Sequence, residues 1–165
     1  DGSGLRYLPP QFYIQLEDFS GGLRYFNWFN KNFPDDSGFP DFLFEWTIIL
    51  FKTGRLKEAE KKAFDTFCSN TYLFDKFFGR KLTKIEKWEG SNLQTLDFAE
   101  NHFSYNSRQD NLADFSVWLD DFSTSEKFLY LSNRFLDIQI QLKTIKDKET
   151  RFYLIQQERQ LRGEL

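Results

Sequence analysis

The side chains able to do nucleophilic or metal chemistry are few: the 165-residue chain has one cysteine, Cys68, and one histidine, His102. A thiol nucleophile needs a base within hydrogen-bond reach and a third group to orient that base. Cys68, His102 and Asp97 supply the types, but their settings argue against the role. Cys68 follows Phe67 near the end of an amphipathic run, where a free cysteine behaves as a small apolar filler. His102 has Phe98 and Asn106 at four residues on either side, where a second metal ligand would stand. One Cys and one His also exclude a disulfide framework and any zinc site of four Cys or His ligands within the chain. A single unpaired cysteine fits a reducing compartment, so a cytoplasmic location is expected.

Carboxylates stand side by side at Asp35-Asp36 and Asp120-Asp121. General acid–base work needs two such groups facing one cleft with separated pKa values. Both pairs fall at expected helix ends, where capping or solvation explains them. Asp35-Asp36-Ser37-Gly38 lacks the alternating oxygen ligands and terminal Glu of a calcium loop. Gly21-Gly22 is followed by Leu23-Arg24 and not by the Lys-Ser/Thr of a phosphate-cradling loop. No catalytic residue, no cofactor and no metal site is expected, so the chain reads as a non-enzyme.

Cations meet aromatics in one stretch, where Lys76, Arg80, Lys81, Lys84 and Lys87 run among Tyr72, Phe77, Phe78 and Trp88. That mixture is the raw material of a single-stranded nucleic-acid surface. Overall charge weighs against it, because 22 Lys and Arg face 25 Asp and Glu, a net of −3, and no basic excess exists to gather phosphates. A solvated basic connector whose aromatics turn inward is the simpler expectation; an acidic protein partner is a second reading of the stretch, and a nucleic-acid-binding helical domain using the Lys76–Lys87 surface is the alternative function.

These residues must be placed by helices. Apolar residues make up 40% of the chain and Phe alone contributes 21 residues, which excludes disorder. No apolar run approaches the roughly 20 residues that span a bilayer, and no basic segment followed by an apolar stretch opens the chain, so no membrane partner is expected. The chain holds no methionine and is read as a mature product or a piece of a longer protein. A repeat is visible at a period of 37 residues, with Gly22 falling on Ala59 and Phe26 on Ala63. In the second copy Phe42, Phe44, Trp46, Ile49 and Leu50 form one helix, Thr53-Gly54-Arg55 a turn, and Leu56, Ala59, Ala63, Phe64 and Phe67 another. In the first, Pro9-Pro10 opens a short helix through Leu16, and Gly21-Gly22 precede Leu23, Phe26, Trp28 and Phe29. Each copy is an αα-hairpin whose small residue lies where two backbones approach.

Beyond Asn70 the spacing predicts a short helical turn from Tyr72 to Phe78 ended by Gly79, then the basic connector. A helix capped by Ser91 is expected through about Tyr105, and another capped by Asp110 or Asn111. A long C-terminal helix then begins at Ser123 or Thr124. Phe128, Leu131, Phe135, Ile138, Leu142 and Ile145 form an apolar seam along it, and the seam fails at Glu149, with a break conceivable near Asp147. Two readings of the seam stay open. It caps the last hairpin, or it pairs with a second copy as a homodimer; Leu129, Leu136 and Ile140 widen the stripe and favour capping. No segment alternates with period two. The expected fold is all-α, with a helical domain over residues 1–122 and a C-terminal capping or interaction helix over residues 123–165.

The repeat resembles the tetratricopeptide repeat over about Pro9 to Tyr72. Most of the chain resembles bacterial tetratricopeptide-like proteins and the helical region of the suppressor of tumorigenicity 7 family. The resemblance rests on Asp1-Gly2-Ser3-Gly4-Leu5-Arg6-Tyr7, on Asn70-Thr71-Tyr72-Leu73 with Phe77-Phe78-Gly79-Arg80-Lys81, and on Gly90-Ser91 and Trp118-Leu119. The chain departs from that pattern at Gly2, Thr71 and Gln94-Thr95. The resemblance implies a superhelical αα-hairpin domain that contacts other proteins and brings no catalytic residues. On that footing the expected function is a non-catalytic scaffold or adaptor for another protein or peptide segment. Arg6, Arg24 and Lys31 would line its inner face to grip carboxylates, with Tyr13, Tyr25 and Trp28 as aromatic anchors. A purely structural role for Arg6, paired with Asp1 or Asp18, is the competing expectation.

Overall fold

A computed structural model of the chain describes residues 4–165. Among the described residues there are nine α-helices, three short 3-10 turns and no strand, so the protein is all-α. It divides into two compact units, one ending at Thr66 and the other running from Phe67 to Leu165. No helix of the described residues is long and apolar enough to cross a membrane.

The first unit holds α1 (Pro9–Gln15), α2 (Phe19–Asn32), α3 (Pro40–Lys52) and most of α4 (Leu56–Ser69). Proline opens α1 and α3, where the first N–H has no intrahelical partner and the fixed φ is already helical. Asp18 caps α2 by accepting from the Gly21 N–H at 3.0 Å. Gly54, at φ 77°, supplies the left-handed residue that ends α3. Helix α1 packs on both α2 and α3, and α2 packs on α3. Gly21 and Gly22 lie inside the first turn of α2, not ahead of it, and the reason is local close approach. A Cβ on Gly22 would stand 2.6 Å from Ile49 Cδ1 of α3. Ala59 and Ala63 of α4 are fully buried. Helix α3 is apolar on nearly every side, with Phe42, Phe44, Ile48 and Ile49 almost wholly buried. It is the hub of this core.

The second unit begins with the end of α4 and continues through α5 (Leu73–Phe77), α6 (Leu96–His102), α7 (Ala113–Ser123), α8 (Glu126–Thr144) and α9 (Lys148–Arg162). Gly79, at φ 70°, closes α5 as its position predicts. Three expected boundaries move, two of them because a different side chain wins the cap. The helix expected from Ser91 to Tyr105 is a 3-10 turn over Asn92–Gln94 followed by α6, because Thr95 is extended and its hydroxyl accepts from the Phe98 N–H at 3.2 Å. Residues Asp110–Leu112 make a 3-10 turn ahead of α7 instead of its cap. Ser125, and not Ser123 or Thr124, caps α8 through the Phe128 N–H.

The long C-terminal helix is in fact two. Asp147 accepts from both the N–H and the hydroxyl of Thr150, at 2.9 and 2.6 Å, and starts α9 afresh. Helix α9 folds back antiparallel on α8: the Arg162 guanidinium lies 5.7 Å from the Phe135 ring centre near one end, and Arg151 reaches the Leu142 carbonyl near the other, with Arg134 to Gln157 and Gln139 to Glu158 between them. Arg151 donates to the carbonyls of Leu142 and Ile145, at 2.6 and 2.8 Å, satisfying oxygens that the end of α8 leaves open. Phe128, Leu131, Phe135, Ile138 and Leu142 are buried as the seam requires, and Leu154 and Leu161, seven residues apart on one face of α9, are buried too. Leu129 and Ile140 do not widen the buried stripe; both remain over 40% exposed.

Candidate partner-binding surface

On α2 the residues spaced 0, 4 and 7 from Arg24 share a face. Arg24, Trp28 and Lys31 therefore form one row, and all three are exposed, while Phe26 and Phe29 point the other way into the core. No carboxylate among the described residues pairs with Arg24 or Lys31. Trp28 is 48% exposed, a large apolar surface left in water between two free cations.

That tryptophan is held by its neighbours. Its ring lies 5.5 Å from Tyr25 and 5.7 Å from Phe33, and Tyr25 continues the row to Tyr13 at 6.2 Å. Such contacts are worth about 0.5–1.5 kcal/mol each beyond area burial. They limit the rotamers of Trp28. Tyr25 also donates its hydroxyl to the Arg6 carbonyl, tying α2 to the 3-10 turn over Leu5–Tyr7.

Arg6 stands apart from the other two cations. Its guanidinium pairs with Asp36 at 2.7 Å and lies 4.7 Å from the Phe33 ring centre. Asp36 also accepts from the Tyr7 hydroxyl at 2.5 Å and from the Gly38 N–H at 2.9 Å. The structural role expected of Arg6 thus has a different partner. Asp18 is engaged as the cap of α2, and Asp1 lies outside the described residues. Burial pushes the Asp36 carboxyl upward, but the bonds from Tyr7, Gly38 and Arg6 outweigh it and hold the group below the usual carboxylate range. Burial pushes Tyr7 up. Asp36 therefore ties the Leu5–Tyr7 turn to the loop between α2 and α3 and is not a helix cap. The bond spans about 30 residues of chain, which no local spacing signals.

One cation of the expected Lys76–Lys87 surface turns inward. The Lys87 ammonium is buried, 2% exposed, pairing with Glu89 at 3.1 Å and lying 5.0 Å from the Tyr72 ring centre. Burial lowers its pKa. Arg80 is spent between Asp75 and Asp120, leaving Lys81 and Lys84 exposed on the connector. The connector is pinned at three points: Ile85 N–H donates to the Tyr72 hydroxyl at 3.0 Å, Lys87 reaches inward, and Trp88 N–H donates to the Gln139 carbonyl at 2.9 Å. Inward-turning aromatics fit this only in part, since Trp88 is 46% exposed, under the Arg151 guanidinium.

Cys68 is buried, whereas His102 and Asp97 are exposed. His102 rests against Phe98, and Asp97 accepts from Asn101. The three do not meet in one cleft. Among the described residues no group of three or more His, Cys, Asp or Glu is placed to hold a metal ion. Set against protein-family models, curated proteins and solved structures, the chain matches none.

Proposed function

We propose that the chain is a non-catalytic protein-interaction module of tetratricopeptide-like hairpins, and that it grips an acidic, extended segment of another protein along α2. The observation that carries this reading is the row Arg24, Trp28, Lys31, an exposed indole between two unpaired cations on one helix face. A carboxylate beside an apolar side chain complements that row. The tetratricopeptide-like part of the reading is supported by α1 touching both α2 and α3, and by Gly22 and Ala59 being buried at a period of 37 residues. The burial of Cys68 suits the reducing cytoplasm we assign to it. Arg6 leaves the binding set and becomes its support, because Asp36 already holds it.

Selection of a random displayed-peptide library on the full chain tests the reading. Enriched sequences should place Asp or Glu next to apolar residues. Trp28→Ala should weaken a selected peptide by about tenfold or more, the size of a hot-spot loss. The double variant Arg24→Glu with Lys31→Glu should weaken it further in low salt than in high. Selected peptides without acidic bias, or unchanged binding by both variants, would end the proposal.

A further inference from the structure

We propose a second site, independent of α2: the pocket between the end of α5 and residues 103–108 binds a phosphomonoester that carries a ring-sized organic group. Its volume is about 410 Å3, and all of its lining belongs to the second unit. That volume lies within the usual range of small-molecule sites, about 300–1,000 Å3, and far exceeds what a phosphate group alone would fill.

The charge balance of the lining differs from that of the chain. In a protein of net charge −3, Lys76 and Arg108 line the pocket and no carboxylate does. Neither cation forms an ion pair among the described residues. Two unopposed positive charges match the roughly −1.5 to −2 of a phosphomonoester at neutral pH. The hydroxyls of Ser104 and Ser107 offer donors to its oxygens, and the half-buried Tyr105, backed by the buried Phe103, offers apolar surface to its organic part.

The end of a helix would ordinarily repel an anion through its open carbonyls. Here those carbonyls are taken. Asp75 O accepts from Arg80 N–H at 2.9 Å, Lys76 O from Gly79 N–H at 3.1 Å, and Phe77 O from Ser107 N–H at 2.9 Å. The last bond also fixes the opposite wall, which is braced by Asn106 N–H to Gln109 at 2.8 Å and Arg108 N–H to the Asn106 side chain at 3.0 Å. A wall already ordered costs little to occupy.

Calorimetric titration of the full chain in low salt, with adenosine monophosphate, adenosine and inorganic phosphate as probes, tests the site. The monophosphate should bind with a Kd below about 1 mM, and both adenosine and phosphate at least about tenfold more weakly. Lys76→Gln with Arg108→Gln should lose at least about tenfold in affinity for the monophosphate. Arg108→Gln alone, at an exposed position, should lose part of that, while Arg80→Gln, outside the lining, should lose nothing. Absence of monophosphate binding, equal binding of adenosine, or undiminished binding by folded Arg108→Gln would each overturn the proposal.

Discussion

Replacing Asn70 with Ala is expected to unsettle the second unit at one point. The Asn70 side chain is 1% exposed. Its amide donates to the Leu93 carbonyl at 2.8 Å and to the Thr95 carbonyl at 2.9 Å, while its oxygen accepts from the Tyr72 N–H at 3.0 Å. It thereby joins the end of α4 to the loop that starts α6, across more than 20 residues of chain. Truncation leaves two carbonyls and one N–H without these partners. At about 1 kcal/mol for each bond the loss totals about 3 kcal/mol. For a chain of this size, at about 2–4 °C per kcal/mol, that is a fall of about 6–12 °C in Tm. Asn70→Asp preserves the shape and the acceptor for Tyr72 but sets a carboxylate oxygen against two carbonyls, so it should cost at least as much. Thermal and urea unfolding followed by circular dichroism give both numbers. A loss below about 1 kcal/mol for Asn70→Ala would mean that water replaces the clamp and that the buried-amide argument fails.

Gly22→Val should destabilise by about 1–3 kcal/mol through crowding Ile49, while Gly22→Ala should cost much less, because a helix-propensity gain of about 1 kcal/mol offsets pressure on a movable side-chain tip. Equal effects in urea unfolding would show that the approach of α2 to α3 is loose. Asp36 is held below its ordinary value, so its contribution to stability is whole above about pH 4 and is lost as pH falls through the folded value. Asp36→Asn should flatten the acid limb of the stability curve, and an unaltered limb would show that the bonds from Tyr7 and Arg6 carry no net weight. An amine-acylating reagent applied to the folded chain should label Lys81 and Lys84 and spare Lys87 until unfolding, as read by peptide mass spectrometry. Lys87 reacting as fast as Lys84 would place its ammonium in solvent.

The small, buried residues at Gly22 and Ala59, the prolines at helix starts and the glycines at Gly54 and Gly79 were legible because each acts over about one helical turn. The exposed row on α2 was open to the same reasoning but was not drawn from it: the sequence reading set Trp28 beside Leu23, Phe26 and Phe29, whereas the helical period places it with Arg24 and Lys31, away from Phe26 and Phe29. Cap choice was less so. Ser91 against Thr95 and Ser123 against Ser125 are near-equal candidates locally, and packing decides between them; Asn70, for one, holds the Thr95 carbonyl in place.

Composition and periodicity alone determined that the chain is helical and where most helices lie, since backbone hydrogen bonding and the burial of one face operate within a few residues of each other. Tertiary structure decided which charges remain available. Arg6 and Lys87 look like Arg24 and Lys84 in the sequence, yet Asp36 claims the first and the interior takes the second. Coulombic pairing and desolvation depend on which atoms come within a few ångströms, and for residues some 30 positions apart only the folded chain sets that distance.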